Sequence, residues 1–345
     1  MYDYLDKFTE EYCRNQPFYG NIRVTSHGNV VYRKSVGYAD RERGILLNED
    51  SRFTLYSLSK PFCAIALLLL RDRGLADIDR HPGEYVPEAA QADARVTLRQ
   101  MLHHTSGLPD FEQNPDFRRK YAPARLEDLR EHVKILCGEY PMCFEPGTSA
   151  MYCNVNFTLC ALAVENIAGM PYPEFLRKEV LEPFGMKTAL VDRQGLVLPD
   201  RVQGYDWDGE ELRPVPVSYN WLYGAGDLIG SEKDVYCLHD AIRERKLLKP
   251  ETWEEILTPS PLNGMGMGCT VSVWHGKRRI THNGGHTGFR TLHIQLPDDD
   301  FDMILLSNCG FGDARNAFAE AVHEAWYGQG NGENTVVEMD KGYAK

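Results

Sequence analysis

The sequence predicts an α+β fold of the α/β-sandwich kind, in which helices flank an antiparallel sheet and a mostly helical segment is inserted into the chain. Strand patterns occur near both ends, two before residue 40 and four after residue 265, and helical patterns fill the region between them. We therefore expect residues 1–75 and 255–345 to form the sheet-containing domain. Residues 76–254 should form the insertion, with a functional cleft between the two.

The first 40 residues contain a helix followed by a hairpin. Residues 3–15 fit an opening helix. Residues 21–26 and 30–36 have strand composition, and the His-Gly-Asn sequence at 27–29 between them is typical of a hairpin turn. This pattern predicts the first two strands of the sheet.

Helices dominate the middle of the chain. Residues 57–72 are apolar on almost every side, which is typical of a helix buried all round, and Pro61 lies near its start, where proline is tolerated. A capping box at residues 97–100 opens a short helix. Residues 156–168 fit another helix, which Gly169 closes.

The last 80 residues return to strands. Residues 268–274, 279–282, 289–296 and 301–307 have strand patterns separated by turns of Gly, Pro and Asp, as in an antiparallel meander. Residues 314–326 then carry apolar side chains at helical spacing and fit a closing helix.

The composition narrows the class of function. The 345 residues carry a net charge of −12, which repels phosphate backbones and anionic lipids, so we expect no nucleic-acid or membrane partner. No apolar run approaches the roughly 20 residues of a membrane span, and the N-terminus lacks a signal-peptide pattern. We therefore expect a cytoplasmic protein. Its nine cysteines form no C-x-x-C pair and are expected to be reduced thiols.

The sequence Ser57-Leu58-Ser59-Lys60 opens the predicted buried helix and is the first candidate for catalysis. Residues i and i+3 lie on one helix face, so the Ser57 hydroxyl and the Lys60 amine should be adjacent. A lysine in apolar surroundings can lose its proton and act as a general base, and the free N–H groups of a helix start can stabilise an oxyanion. Chance alone gives about half a match to this spacing, so the position at a buried helix start carries the prediction.

Two further short sequences could complete a site. Tyr152-Cys153-Asn154 places a phenol and a carboxamide two residues apart in a loop before a helix, whereas Tyr19-Gly20-Asn21 has the same spacing but precedes a strand. His282-Asn283-Gly284-Gly285 lies at the end of a predicted strand, where glycines let a substrate approach the backbone. His81 and His286 also fit H-x-G; a surface loop is expected for His81, and His286 is a competitor of His282.

Taken in this order, Ser57, Tyr152 and His282 resemble the three motifs of the serine β-lactamase and penicillin-binding protein superfamily. Three further segments resemble stretches of this family: Leu102–Leu108 (LHHTSGL), Leu181–Met186 (LEPFGM) and His282–Phe289 (HNGGHTGF). The resemblance covers about residues 21–308. It is closest to the class C β-lactamase-like branch, which includes esterases and D-aminopeptidases.

The resemblance implies a role for each catalytic residue. Ser57 would be the acylated nucleophile and Lys60 its proton acceptor. Tyr152 would pass a proton to the leaving group or activate the deacylating water, and His282 would be a fourth catalytic residue. Whether Lys60 or Tyr152 is the acylation base stays open.

The same resemblance implies the substrate-binding residues. Asn154 would hydrogen-bond the acyl side of the substrate, and Tyr223 would line the pocket. The oxyanion hole would combine the backbone N–H groups of Ser57 and Gly285, beside Gly284.

Two positions depart from the family pattern. Asp227 stands where the family usually has a second glycine, and His282 stands where penicillin-recognising members have lysine. The chain therefore lacks a permanent cation for a substrate carboxylate. With an ordinary histidine pKa near 6.5, affinity for carboxylate-bearing substrates should improve as the pH falls through that region.

We therefore expect a serine hydrolase that acts through an acyl-enzyme on a small ester, amide or short peptide: an esterase, a D-amino-acid peptidase or a weak β-lactamase. The alternative is a non-catalytic penicillin-binding or sensor protein of the same fold, acylated without efficient turnover. The sequence does not predict the oligomeric state.

No cofactor is expected, and the histidines do not predict a metal site. His282 and His286 are separated by Asn-Gly-Gly, which breaks any helix that would place them on one face, and H-E-x-x-H is absent from the sequence. His104 is expected to be a buried, hydrogen-bonded residue that orders its loop.

Overall fold

The computed structural model describes residues 2–120, 126–193, 196–216 and 222–328. Within these ranges the helices are α1 (Tyr2–Asn15), α2 (Lys60–Asp72), α3 (Leu98–Leu102), α4 (Pro115–Lys120), α5 (Leu126–Glu139), α6 (Asn154–Ala168), α7 (Tyr172–Leu176), α8 (Glu182–Phe184), α9 (Glu232–Arg243), α10 (Pro250–Ile256) and α11 (Ala314–Tyr327). The strands are β1 (Gly20–Ser26), β2 (Asn29–Val36), β3 (Tyr38–Asp40), β4 (Ile45–Leu46), β5 (Phe53–Thr54), β6 (Leu190–Val191), β7 (Gly204–Trp207), β8 (Leu212–Val215), β9 (Leu228–Gly230), β10 (Thr270–Trp274), β11 (Lys277–His286), β12 (Phe289–Leu296) and β13 (Phe301–Ser307).

Both ends of the chain build one six-stranded antiparallel sheet, in the order β10-β11-β12-β13-β1-β2. This confirms the predicted fold class. The first hairpin turns at His27 and Gly28, both with positive φ, as a two-residue turn between twisted strands requires. The C-terminal strands join the N-terminal hairpin where β13 pairs with β1, from Gly20 opposite Ser307 to Ser26 opposite Phe301.

Helices cover both faces of this sheet, and its central strands β1, β12 and β13 are accordingly buried along almost their whole length. On one face, Leu292, Ile294 and Leu296 of β12 join the apolar core beneath α1 and α11. On the other face, α9 packs against β13 and β1. By sequence α9 lies within the range predicted as the insertion, yet it covers the sheet.

Helix α2 is the centre of the molecule. Every residue from Lys60 to Leu70 is buried, and α2 packs against α6 and, at its start, against the residues that lead from β5. The sequence pattern of an all-round apolar helix is thereby confirmed. Short strands also lie between the helices, in a three-stranded sheet β5-β9-β6 and a hairpin β7-β8. Among the residues described, no helix has the length and apolar character to cross a bilayer.

Candidate active site

Ser57 lies in a short 3-10 turn, Tyr56–Ser59, between β5 and α2. The sequence predicted a helix from Ser57, but α2 begins at Lys60, because Tyr56 has φ of +48° and turns the chain just before the serine. The Tyr56 hydroxyl donates to the Thr287 carbonyl at 2.8 Å, which ties this turn to the end of β11. Ser57 is the only residue from Phe53 to Leu70 that is not fully buried. The fold thus leaves the Ser57 hydroxyl partly exposed at the N-terminal end of a buried helix.

The Lys60 amine is the centre of the site's hydrogen bonds. Its Nζ donates to Ser57 Oγ at 3.1 Å, to Asn154 Oδ1 at 2.8 Å and to the Ala225 carbonyl at 2.7 Å. The side chain is fully buried. Three separate segments, α2, the start of α6 and the turn before β9, therefore converge on one nitrogen.

Burial lowers the pKa of Lys60, so that its ammonium group loses a proton more readily. Desolvation lowers the pKa of Lys60 from 10.5 to about 7, against the opposing influence of the Asp110 and Glu112 carboxylates. A lysine of ordinary pKa would be almost wholly charged at neutral pH. Lys60 is instead divided between amine and ammonium there, as a general base requires.

The geometry directs the neutral amine at Ser57. The Asn154 Oδ1 and Ala225 carbonyl oxygens can only accept hydrogen bonds, so they take both N–H groups of a neutral Lys60. The remaining lone pair then faces the Ser57 hydroxyl, which can donate its hydrogen bond along the same 3.1 Å contact. This arrangement can remove a proton from Ser57.

Asn154 is the first residue of α6, two residues earlier than the sequence predicted. The buried Asp110 carboxylate accepts the Asn154 backbone N–H and so caps this helix start from another segment. Such a capping group cannot be read from the local sequence. Its effect is to hold the Asn154 carboxamide against Lys60.

The Tyr152 ring is held by His104. The two rings stack with centroids 4.4 Å apart, and His104 Nδ1 accepts the Cys153 N–H at 3.0 Å. Burial keeps the pKa of His104 well below 6.5, so its ring is neutral. His104 is the buried, hydrogen-bonded residue that the sequence predicted. The Lys60 amine lies 4.6 Å from the centroid of the Tyr152 ring.

The end of β11 forms an open edge beside Ser57. The ladder with β10 stops where Thr270 pairs with Thr281, whereas β11 pairs with β12 as far as His286. Residues 282–286 therefore have no strand partner on this edge among the described residues. A Cβ at Gly284 would lie 2.1 Å from the Leu55 carbonyl oxygen, so only glycine lets the strand approach the serine turn this closely.

His282 is a buried hydrogen-bond acceptor. Its Nδ1 lies 2.6 Å from the Asn283 carbonyl, which can only accept, so Nδ1 carries the hydrogen and Nε2 is a bare acceptor. Nε2 has no partner in the described part of the chain. Burial, with the nearby Lys60 charge, lowers the pKa of His282 to about 3. The expectation that this histidine gains charge near pH 6.5 is therefore wrong, since desolvation keeps it neutral.

His286 lies at the rim of the same edge. Its Nε2 is 3.5 Å from a Glu112 carboxylate oxygen, and both side chains are partly exposed. This pair bridges the end of β11 and the loop before α4. His282 thus lies deeper in the protein than its competitor His286.

The β-lactamase family model matches residues 20–325 of the chain. The chain belongs to the β-lactamase family. It is 28% identical over 326 residues to penicillin-binding protein 4* of Bacillus subtilis, covering 88% of this chain and 71% of that protein. It is 26% identical to a D-aminopeptidase of Gluconobacter oxydans, covering 84% of this chain but only 55% of the relative. The fold matches D-amino acid amidase of Ochrobactrum anthropi with a TM-score of 0.76 at 22% identity, over 94% and 98% of the two chains. This β-lactamase-family protein is a hydrolase.

One predicted pocket residue of this β-lactamase-family protein has its hydroxyl bound to a residue of α6. The Tyr223 hydroxyl donates to Glu165 Oε2 at 2.7 Å, and Glu165 also pairs with Arg130. Glu165 lies eleven residues beyond Asn154 on α6, about 16 Å along the helix axis. Tyr223 is buried, and its hydroxyl braces the far end of α6; a contact of its ring with substrate stays a prediction.

Two acidic residues near Lys60 were not predicted from the sequence. Asp110 is fully buried and Glu112 lies two residues further along the same loop. Both carboxylates favour the charged form of Lys60. The family-like segment Leu102–Leu108 ends just before them and was the only sequence signal that pointed to this loop.

Proposed function

We propose that the chain is a serine hydrolase that forms an acyl-enzyme on Ser57 from an amide or ester. The observation that carries the proposal is the buried Lys60 amine, whose N–H groups are both taken by acceptors while its lone pair faces Ser57. The lowered pKa of Lys60 gives it a basic fraction at neutral pH.

The reaction follows from this geometry. Lys60 takes the Ser57 proton as the serine oxygen attacks the substrate carbonyl, and the N–H groups of Ser57 and Gly285 stabilise the oxyanion. The Tyr152 phenol passes a proton to the leaving amine or alcohol, which departs. The Lys60 ammonium returns its proton to Tyr152, so that these residues can deprotonate the water that attacks the acyl-serine. That proton passes to Ser57 Oγ as the acyl bond breaks, which releases the acid and restores Ser57.

The charge of the cleft favours substrates with N–H groups or an ammonium over those with a carboxylate. The Glu112 carboxylate lies at the rim, and the buried His282 adds no positive charge to the site because its ring is neutral. An amide or short peptide with a free amino group fits both features, in line with the D-aminopeptidase relative. The small-molecule partner and the cytoplasmic location stay predictions.

A side-by-side hydrolysis assay tests this proposal. We would compare D-amino-acid p-nitroanilides, their N-acetylated counterparts, short-chain p-nitrophenyl esters and a chromogenic cephalosporin. We expect turnover of the free-amine anilides or the esters to exceed turnover of the cephalosporin. A stable penicillin adduct on Ser57 without turnover of any substrate would instead support the penicillin-binding alternative. The similarity to penicillin-binding protein 4* is consistent with that alternative.

The rate of Ser57 acylation should rise with pH through about 7. Only neutral Lys60 accepts a proton, and the neutral fraction grows as the pH passes its lowered pKa of about 7. We expect a single acidic limb near pH 7 in kcat/KM for an uncharged p-nitrophenyl ester, whose own ionisation does not interfere. A profile that stays flat from pH 5.5 to 8.5 would contradict the assignment of Lys60 as the base.

His282→Lys should shift specificity toward penicillins. A lysine ammonium offers a charge-assisted hydrogen bond to the β-lactam carboxylate, whereas the neutral His282 offers only an acceptor. We expect the ratio of penicillin to ester acylation rates, measured by stopped flow, to rise about tenfold or more. His286→Lys is the matched control, since it adds a cation to the same strand at the rim. An equal rise in the control, or none in His282→Lys, would place carboxylate recognition elsewhere.

A further inference from the structure

Asp227 is a buried acid behind the lysine that the proposed mechanism does not use. It ends the turn at residues 222–227, whose Ala225 carbonyl accepts the Lys60 amine at 2.7 Å. Its Oδ2 accepts the Gly224 N–H at 2.9 Å. Its Oδ1 is buried and has no hydrogen-bond partner among the described residues. Burying a carboxyl with one unpaired oxygen lowers the stability of the fold, so its position next to the site calls for a physical role.

The turn that Asp227 closes is tightly fixed. The N–H groups of Ala225 and Gly226 both donate to the Leu222 carbonyl at 2.7 Å. A Cβ at Gly224 would lie 2.5 Å from that of Ala161 on α6, so the turn is wedged against this helix. Because the carboxylate holds the Gly224 N–H, it also holds the turn that carries the Ala225 carbonyl. Asp227 thus controls one of the three acceptors of Lys60.

The charge of Asp227 also reaches Lys60. The titratable groups that face this carboxyl come from four elements and are Lys60, Cys63, Tyr172, Asp192 and Tyr223. Of these only Lys60 is a cation, and its interaction favours the carboxylate form of Asp227. The groups that face Lys60 in turn are Cys63, His104, Asp110, Glu112, Cys153, His282 and Asp227 itself.

We propose that Asp227 is a positioning residue for Lys60, which holds the Ala225 carbonyl against the amine and whose carboxylate charge shifts the amine's proton equilibrium toward ammonium. This rests on the proposed function, in which Lys60 is the base. The protonation of Lys60 is therefore tuned by an acid that lies 167 residues further along the chain, on the turn that carries one of the acceptors of the amine.

The two groups titrate in the same range. Burial raises the pKa of Asp227 to about 7, where Lys60 also titrates. When both are ionised they attract each other across a low-dielectric interior, which holds a proton on Lys60 to higher pH. Removing the carboxylate charge should therefore lower the pKa of Lys60.

Asp227→Asn removes the carboxylate charge but keeps the hydrogen bond that fixes the turn, because the amide oxygen still accepts the Gly224 N–H. The full-length protein is treated with a fluorophosphonate probe, and the rate of Ser57 labelling is measured from pH 5 to 9. We expect the acidic limb to move to lower pH by about half a unit to one unit, with the plateau rate above pH 8.5 within about twofold of the wild type. Asp227→Gly should move the limb in the same direction and also lower the plateau, since it removes the brace.

Asp234→Asn is the matched control. Asp234 is a buried carboxylate that braces a different turn by accepting the Ser231 N–H at 2.9 Å, and its replacement should leave the limb in place. An unmoved limb in both Asp227 variants, or an equal shift in Asp234→Asn, overturns the inference while labelling of Ser57 upholds the proposed function. A wild-type Ser57 that the probe does not label overturns the proposed function, and this inference with it.

Discussion

Ser57→Ala should abolish turnover and leave the protein as stable as the wild type. The variant lacks the oxygen that forms the acyl-enzyme, and loss of such a nucleophile lowers kcat/KM by about 10⁴-fold or more in serine hydrolases. Ser57 is partly exposed, and the hydrogen bond lost is the one from Lys60. The free energy of unfolding should therefore change by less than about 1 kcal/mol. Ester or anilide hydrolysis and thermal melts measure the two effects on the same preparation.

Ser59→Ala is the control, because it removes a neighbouring hydroxyl that stabilises the fold and takes no part in the proposed reaction. Ser59 is buried; its Oγ donates to the Tyr56 carbonyl at 2.6 Å and accepts the Leu228 N–H at 3.0 Å. Its loss leaves a buried N–H unpaired and should cost about 1–3 kcal/mol of stability while most activity remains. Wild-type turnover in Ser57→Ala would refute the nucleophile assignment.

Local patterns predicted most of the sheet, although β11 runs from Lys277 to His286 and is longer than the predicted 279–282. Strands β12 and β13 match the predicted ranges 289–296 and 301–307, because the Pro-Asp turn between them ends both strands within the sequence itself. Local patterns did not give the start of α2. That boundary depends on the left-handed Tyr56, whose hydroxyl is held by Thr287, 231 residues further along the chain.

The active site, like the fold, depends partly on local sequence patterns and partly on contacts between segments that are distant in sequence. The spacing of Ser57 and Lys60 was visible in the sequence, and so was the expectation of a buried lysine. The acceptors that make Lys60 a directed base come from α6 and from the turn at Ala225, which no local pattern connects to α2. The direction of the Tyr223 hydroxyl likewise depends on a contact distant in sequence, since it is set by Glu165 on α6.

Lys60→Met should abolish activity and also remove a pH dependence of stability. Methionine keeps the length of the side chain but provides neither a base nor a charge. We expect kcat for ester hydrolysis to fall about 10³-fold or more, as expected when a group required for nucleophile activation is lost. The Asn154 Oδ1 and Ala225 carbonyl oxygens would each lose a donor, which opposes any gain from removing a buried amine.

The stability difference between Lys60→Met and the wild type should depend on pH with a definite sign. Lys60 has a pKa of about 7 in the folded protein and an ordinary value of 10.5, so between these values the unfolded chain binds more protons. The wild type therefore gains stability from Lys60 as the pH rises through this window, by up to about 1.4 kcal/mol per pH unit, and carries the full burial penalty below pH 7.

The variant lacks this term, so its stability relative to the wild type should be greatest at pH 6 and should fall steadily toward pH 9.5. Urea unfolding at several pH values gives the difference, and subtraction removes the groups that the two proteins share. Lys187→Met, at an exposed lysine, is the control and should give a flat difference. A flat difference for Lys60→Met as well would mean that Lys60 keeps an ordinary proton affinity in the folded protein, and the role of base would then pass to Tyr152.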